Sequence, residues 1–169
     1  MTRTLRPTRI GVLAVVFVTM LVFLPSPSAS ATSGTLYIDE TTTLTEDHHG
    51  HIVIVGDDLT LDCAGHSLFG PGGGAGIDLE FRSGVTIQNC KASGFGGAIA
   101  GWDVRNVRII GNELFESRNG VAVAGQNIEI VGNVVYDNSR NGISYWSGTD
   151  AVISGNTVSG SGYRGVQVE

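Results

Sequence analysis

Lysine is almost missing from this chain: Lys91 is the only one in 169 residues, and methionine occurs only at Met1 and Met20. Proline does not occur after Pro71, and there are two cysteines. Beyond Leu24 no apolar run approaches the about 20 residues that span a bilayer. The longest run, Gly11 to Leu24, is also shorter than that; it follows Arg3, Arg6 and Arg9 and precedes a small-x-small step at Ala29-Ser30-Ala31. That order of basic, apolar and small residues predicts a secretory signal peptide over 1–31. Its removal leaves seven basic against sixteen acidic side chains, a formal charge of −9, and no methionine. So acidic a product is a poor partner for nucleic acid, and it meets a polyanionic glycan only through a local arginine cluster or a bound cation. The expected setting is secreted, periplasmic or cell-envelope, with no membrane attachment after cleavage.

Against these absences stands a repeat. Val107-Arg-Ile-Ile-Gly-Asn112, Ile128-Glu-Ile-Val-Gly-Asn133 and Ala151-Val-Ile-Ser-Gly-Asn156 are one phrase written three times, with its asparagines 21 and 23 residues apart. Each copy alternates apolar and polar positions and then breaks at Gly-Asn, a pattern of a short strand ending in a bend that tolerates left-handed geometry. A second phrase keeps the same beat at Asn119-Gly120-Val121, Asn141-Gly142-Ile143 and Arg164-Gly165-Val166, and single apolar steps at Leu114, Val135 and Val158 predict a third strand. Three strands and three bends in about 22 residues leave no room for a helix, which excludes leucine-rich, ankyrin and helical-pair repeats. The remaining architecture is all-β: a parallel β-helix, whose coils stack at roughly 4.8 Å so that equivalent residues lie one above another.

Residues 32–56 read as an N-terminal capping segment and 57–169 as the coils. Thr35 to Ile38 and Ile52 to Val55 are strand-like, and the polar stretch between them, with His48, His49 and His51, reads as a solvated loop. Imidazoles also bind zinc or copper, but adjacent histidines are not a diagnostic ligand spacing.

Leu61-Asp62-Cys63-Ala64-Gly65-His66, Gly76-Ile77-Asp78-Leu79, Val85 to Cys90 and the later asparagine ladder resemble the right-handed parallel β-helix repeat proteins of the pectate-lyase-like superfamily, and within it the NosD-like and the carbohydrate-binding/sugar-hydrolase repeat families. The resemblance covers roughly residues 52–169 and supplies the handedness, which spacing alone does not. Such motifs build coils in lyases, hydrolases, epimerases, binding modules and adhesins alike, so they speak for fold and not for chemistry.

In this register Leu59, Val85, Val107 and Ile128 form one inward stack, and Leu61, Ile87, Ile109, Ile130 and Ile153 the next. Cys90 falls in the column of Asn112, Asn133 and Asn156, with Cys63 close by on the preceding coil. A Cys63–Cys90 bridge and a pair of stacked buried thiols are both open. The chain stops at Val168-Glu169 at a strand end, which points to a longer protein or to a last coil covered by another subunit.

The resemblance implies several chemistries to look for. Polygalacturonase-like hydrolysis needs aspartates with Gly-His-Gly and Arg-x-Lys elements; Gly56-Asp57-Asp58 matches in letters only and reads as a polar turn. Epimerase-like chemistry needs Asp-Pro-His, which is absent. Pectate-lyase-like elimination needs carboxylates holding calcium beside an Arg or Lys base, so calcium remains an option. Copper handling, as in NosD-like maturation of a periplasmic enzyme, finds four histidines and no methionine. A purely structural or adhesive solenoid is the remaining class.

The candidate site lies between the ladder asparagine and the next glycine-led strand. There, each late coil carries a polar and aromatic turn: Phe115-Glu116-Ser117-Arg118, Tyr136-Asp137-Asn138-Ser139-Arg140 and Ser161-Gly162-Tyr163-Arg164. Stacked, Arg118, Arg140 and Arg164 would line one edge and meet uronic-acid carboxylates with paired donors. Tyr136, Tyr163 and Trp146 would offer ring faces to sugars, while Glu116 and Asp137 would take hydroxyls or a cation. The competing expectation is an exposed ion ladder of these arginines with Glu116 and Asp137. The partner expected is an extracellular or cell-envelope polysaccharide, recognised and, as a further option, processed by a lyase or hydrolase.

Overall fold

A computed structural model describes residues 31–169; the predicted leader, apart from Ala31, falls outside them. All sixteen strands join one sheet, and every pairing is parallel. They form three stacked columns. The first runs β1 (Ala31–Ile38), β3 (Asp47–Ile54), β6 (Ala75–Asp78), β9 (Gly97–Ile110), β11 (Asn119–Val131), β13 (Asn141–Thr149) and β16 (Arg164–Val168). The second is β2 (Thr42–Thr43), β4 (Thr60–Asp62), β7 (Thr86–Gln88), the far ends of β9 and β11, and β14 (Val152–Ser154). The third is the near end of β3, then β5 (Ser67–Phe69), β8 (Lys91–Ser93), β10 (Glu113–Phe115), β12 (Val134–Tyr136) and β15 (Thr157–Ser159).

The register follows from burial. A strand slipped by one residue would turn its apolar set outward, so Leu61 pairs with Ile87, Ile87 with Ile109, Ile109 with Ile130 and Ile130 with Ile153. Leu61, Ile87, Ile109 and Ile130 are fully buried. Ile128 pairs with Val107 in the neighbouring row.

Two expectations are corrected. β9 and β11 each continue through the bend as one strand, because Asn106 (φ 52°) and Asn127 (φ 52°) turn the chain in left-handed geometry without ending the ladder. The histidine stretch is not a loop but part of β3, paired residue by residue with β1, so the segment 32–56 already coils. There His48 is buried; its Nε2–H donates to the carbonyls of Gly34 (3.1 Å) and His51 (3.3 Å), and its Nδ1 accepts from the Thr32 hydroxyl at 2.8 Å. His49 stacks on Phe69 and the His51 Nδ1–H donates to the Ala75 carbonyl at 2.7 Å. Each of the three rings thus has partners of its own.

At the bend between the second and third columns the ladder is continuous. Asn112 Oδ1 accepts the Cys90 amide (2.9 Å), Asn133 Oδ1 the Asn112 amide (2.9 Å) and Asn156 Oδ1 the Asn133 amide (2.8 Å). Their Nδ2 groups donate upward to Ile87, Ile109 and Ile130 carbonyls. Cys63 and Cys90 are joined by a disulfide, their Cα atoms 4.7 Å apart, one coil above the top rung.

Candidate functional site

The turn from the third column to the first carries the predicted residues. Four positions stack in left-handed geometry at its start: Gly94 (φ 79°), Glu116 (φ 46°), Asp137 (φ 52°) and Gly160 (φ 62°). Glycine adopts this conformation freely, whereas a side chain costs roughly 1–2 kcal/mol there. Asparagine and aspartate tolerate it best, so Glu116 is the least expected of the four.

The next row, which no repeated residue type announces, is the buried Ser117 and Asn138 and the half-buried Ser161. Asn138 is fully buried; its Oδ1 accepts the Ser117 amide (3.1 Å), and its Nδ2 donates to the Leu114 and Tyr136 carbonyls, each at 3.1 Å. Ser117 Oγ accepts the Phe95 amide at 3.2 Å. This second polar ladder stiffens the turn that holds the charged residues.

Beyond it Arg118 and Arg140 stack, the Arg140 amide donating to the Arg118 carbonyl at 2.8 Å. Both are exposed, and neither makes an ion pair among the described residues; the expected ladder with Glu116 and Asp137 is not formed. Arg164 does not join them. The Arg140 carbonyl accepts from the Tyr163 amide at 2.7 Å and from the Arg164 amide at 3.3 Å, but in register Arg164 pairs with Asn141, which leaves Tyr163 in the third place. The Arg164 guanidinium lies 4.8 Å from the centre of the Tyr163 ring and 3.4 Å from Glu169. Two arginines line this edge, not three.

Glu116, Arg118, Asp137 and Ser139 line a shallow depression of about 350 Å³, floored by Phe95 and Ser117. Arg140 follows Ser139 in the chain and does not itself line the depression. Tyr136 sits one strand earlier, stacked flat on Phe115 with centroids 5.1 Å apart. Its hydroxyl donates to Glu113 Oε1 at 2.9 Å. Burial, and then that carboxylate bond, raise its pKa above the usual phenol value. One ring face and the hydroxyl of Tyr136 are thus already committed. Trp146 lies on β13, away from the turn, stacked on Trp102.

Among the described residues no group of three or more His, Cys, Asp or Glu side chains is placed to hold a metal. Glu116 and Asp137 are the carboxylates a calcium ion would use here, and two carboxylates supply only part of the six to eight oxygens it takes. The family model described as "Right handed beta helix region" matches residues 31–169. No curated protein and no solved structure matches the chain.

Proposed function

We propose that this chain, which belongs to the right-handed β-helix family, recognises an acidic polysaccharide outside the cytoplasm. The observation that carries the reading is the Arg118–Arg140 step: two exposed guanidiniums on successive coils, unpaired among the described residues of an otherwise acidic protein. An arginine placed only for stability would take the carboxylate next to it, and Glu116 and Asp137 are adjacent. Left free, each guanidinium offers a planar fork to a carboxylate, and a repeat along a glycan chain meets both. The coils hold the two forks at a fixed spacing, so little ordering entropy opposes the second contact.

The test is binding of the whole protein to polygalacturonate, alginate and an uncharged polysaccharide of equal length. Arg140→Ala is expected to weaken binding to an acidic chain about tenfold and to leave the melting midpoint in place. Wild-type affinity in that variant sinks the reading.

The processing alternative draws on Glu116 and Asp137 lining the same depression as Arg118. It is tested by incubating the protein with polygalacturonate and calcium and following new reducing ends and unsaturated uronides. Neither product appearing leaves recognition alone.

A further inference from the structure

The chain tightens just after β6. The Arg82 amide donates to the Leu79 carbonyl at 3.0 Å, which closes a turn over Leu79, Glu80, Phe81 and Arg82. Its third residue, Phe81, has a φ of 61°. Turns with a positive φ at that place take glycine or asparagine, and a bulky side chain there is an outlier. Burial does not account for the ring either, because Phe81 is 62 % exposed. The Phe81 amide donates to the Trp102 carbonyl (2.9 Å), which sets Phe81 level with Asp103 on the next coil, and Asp103 has the same left-handed geometry. A short polar residue therefore satisfies this corner, and the phenyl ring adds strain and exposed apolar surface together.

Beside the ring is a pocket of mixed character. Register puts Tyr37, Val53 and Asp78 in one outward row of β1, β3 and β6, and the next outward residues are Val55 and Glu80. Val53, Val55, Asp78, Glu80 and Phe81 line a cavity of about 210 Å³. Asp78 and Glu80 make no ion pair among the described residues. Asp78 is held in place, since its Oδ1 accepts the Glu80 amide at 3.0 Å. The two cations nearby are engaged elsewhere. Arg82, which also borders the cavity, donates from Nη1 to the Val55 carbonyl (2.9 Å) and from Nε to the Glu80 carbonyl (3.2 Å), with Asp57 3.8 Å from Nη1. Arg105 pairs with Asp103 at 3.2 Å. Tyr37, 65 % exposed, extends the apolar surface past Val53.

We infer that this corner is an interaction surface for a partner protein, which docks through an arginine or lysine seated in the cavity. The alkyl stem packs on Val53 and Val55, the charge meets Asp78 and Glu80, and the Phe81 ring flanks the cation. A bare metal ion would use the carboxylates and leave the valines and the ring without a role. A small amine would fill the cavity and leave Tyr37 uncovered. A basic side chain entering a pocket beside aromatic rings is how protein interfaces concentrate their affinity. The inference shares no residue with the Arg118–Arg140 edge.

Trp102 stands level with Glu80, and the only other tryptophan, Trp146, stacks on it, so tryptophan emission reports on this corner. The whole protein is titrated with blocked pentapeptides in which a central arginine, lysine, citrulline or glutamate is flanked by leucines, and separately with butylammonium, by emission and by calorimetry. The expected result is saturable binding of the arginine or lysine peptide, weakening as salt rises from about 0.05 M to about 0.5 M, and none with citrulline or glutamate. Glu80→Gln should weaken it about tenfold and leave the melting midpoint in place. Phe81→Gly should also weaken it about tenfold, yet raise the midpoint by a few degrees as the left-handed strain is relieved. A Phe81→Gly midpoint below that of the wild type assigns the ring to the fold and overturns the inference. So does failure of both cationic peptides, equal binding of the citrulline peptide, wild-type affinity in a folded Glu80→Gln, or butylammonium binding as tightly as the peptides. Arg140→Ala, which tests the acidic-glycan reading, should leave peptide binding unchanged, so the two readings fail separately.

Discussion

Asn133 is the middle rung of the asparagine ladder and the sharpest test of how the coils are held. It is fully buried. Its Oδ1 accepts from the Asn112 amide at 2.9 Å and from Asn112 Nδ2 at 3.0 Å; its Nδ2 donates to the Ile109 carbonyl and to Asn156 Oδ1, each at 2.9 Å. In Asn133→Ala not every partner is stranded. Asn112 Nδ2 keeps the Ile87 carbonyl, and Asn156 Oδ1 keeps the residue 133 amide. The Asn112 amide and the side-chain bond to the Ile109 carbonyl are lost outright. A buried group left unpaired costs about 1–3 kcal/mol, so two give a loss of about 2–4 kcal/mol once some relaxation is allowed. For a chain of this length that is a fall of about 6–12 °C in midpoint.

Urea and thermal unfolding measure the loss, with the slope of the urea transition checked for coil-by-coil melting. Asn133→Asp is the informative companion, since it keeps the acceptor and removes the donor. Burial raises the folded pKa of that carboxyl above the unfolded value of about 3.9. The folded state then binds the proton more tightly, so the deficit is smallest below about pH 4 and grows as pH rises through the folded pKa. A melting midpoint unchanged in Asn133→Ala, or an Asp variant whose deficit shrinks with rising pH, would refute the account of the ladder as a buried, mutually satisfied column.

Three further outcomes follow from other parts of the molecule. The Cys63–Cys90 bridge closes a separation of 27 residues, and replacing both cysteines by alanine should cost about 3–4 kcal/mol by the chain-entropy relation, read as a lower urea midpoint. Hydrogen bonds from Asn89, Gln88 and the Ala64 amide hold the Asp62 carboxyl below its usual pKa. The unfolded chain therefore binds that proton more readily; stability is present above about pH 4 and declines as pH falls toward the folded pKa, and Asp62→Asn should flatten this acid limb of a midpoint-versus-pH curve. Glu116→Gly should raise stability by about 1 kcal/mol, because it relieves a left-handed side chain, while weakening ligand binding at the depression; a drop in midpoint would show that Glu116 is held there for the fold.

What could be read from the residues alone divides by how often the chain repeats itself. Asn112, Asn133 and Asn156 end one phrase written three times, and a bend recurring with the same residue leaves a countable step. The row of Ser117, Asn138 and Ser161 keeps the same steps of 21 and 23 residues, but with different residues, so no repeated letter marks it. The turn also grows by one residue between coils: three residues separate Phe115 from Asn119, and four separate Tyr136 from Asn141. Counting back from the strand glycine would have found this. Arg164 directly precedes Gly165, as Asn119 precedes Gly120 and Asn141 precedes Gly142, so its place is with the asparagines and not with Arg118 and Arg140. Trp102 and Trp146 are 44 residues apart and meet only because of the irregularity after Val123 and the small residue between them. The histidines of β3 misled for another reason. Composition said loop, while pairing along the whole of β1 overrode it.

The outer residues also differ in what fixes them. An inward position is set by its column: at Ile109 or Ile130 only an apolar side chain of similar volume fits between the coils above and below. At the turn the backbone makes the demand and the side chain is free, and Gly94 and Gly160 satisfy that demand without strain. Glu116 and Asp137 meet it with a carboxylate instead, and they do so on the two coils that also carry Arg118 and Arg140. A left-handed glutamate with no ion partner among the described residues is a cost the fold does not require. Strain kept beside unpaired charge, at a turn where the coils on either side use glycine, is the feature on which the proposed binding edge rests.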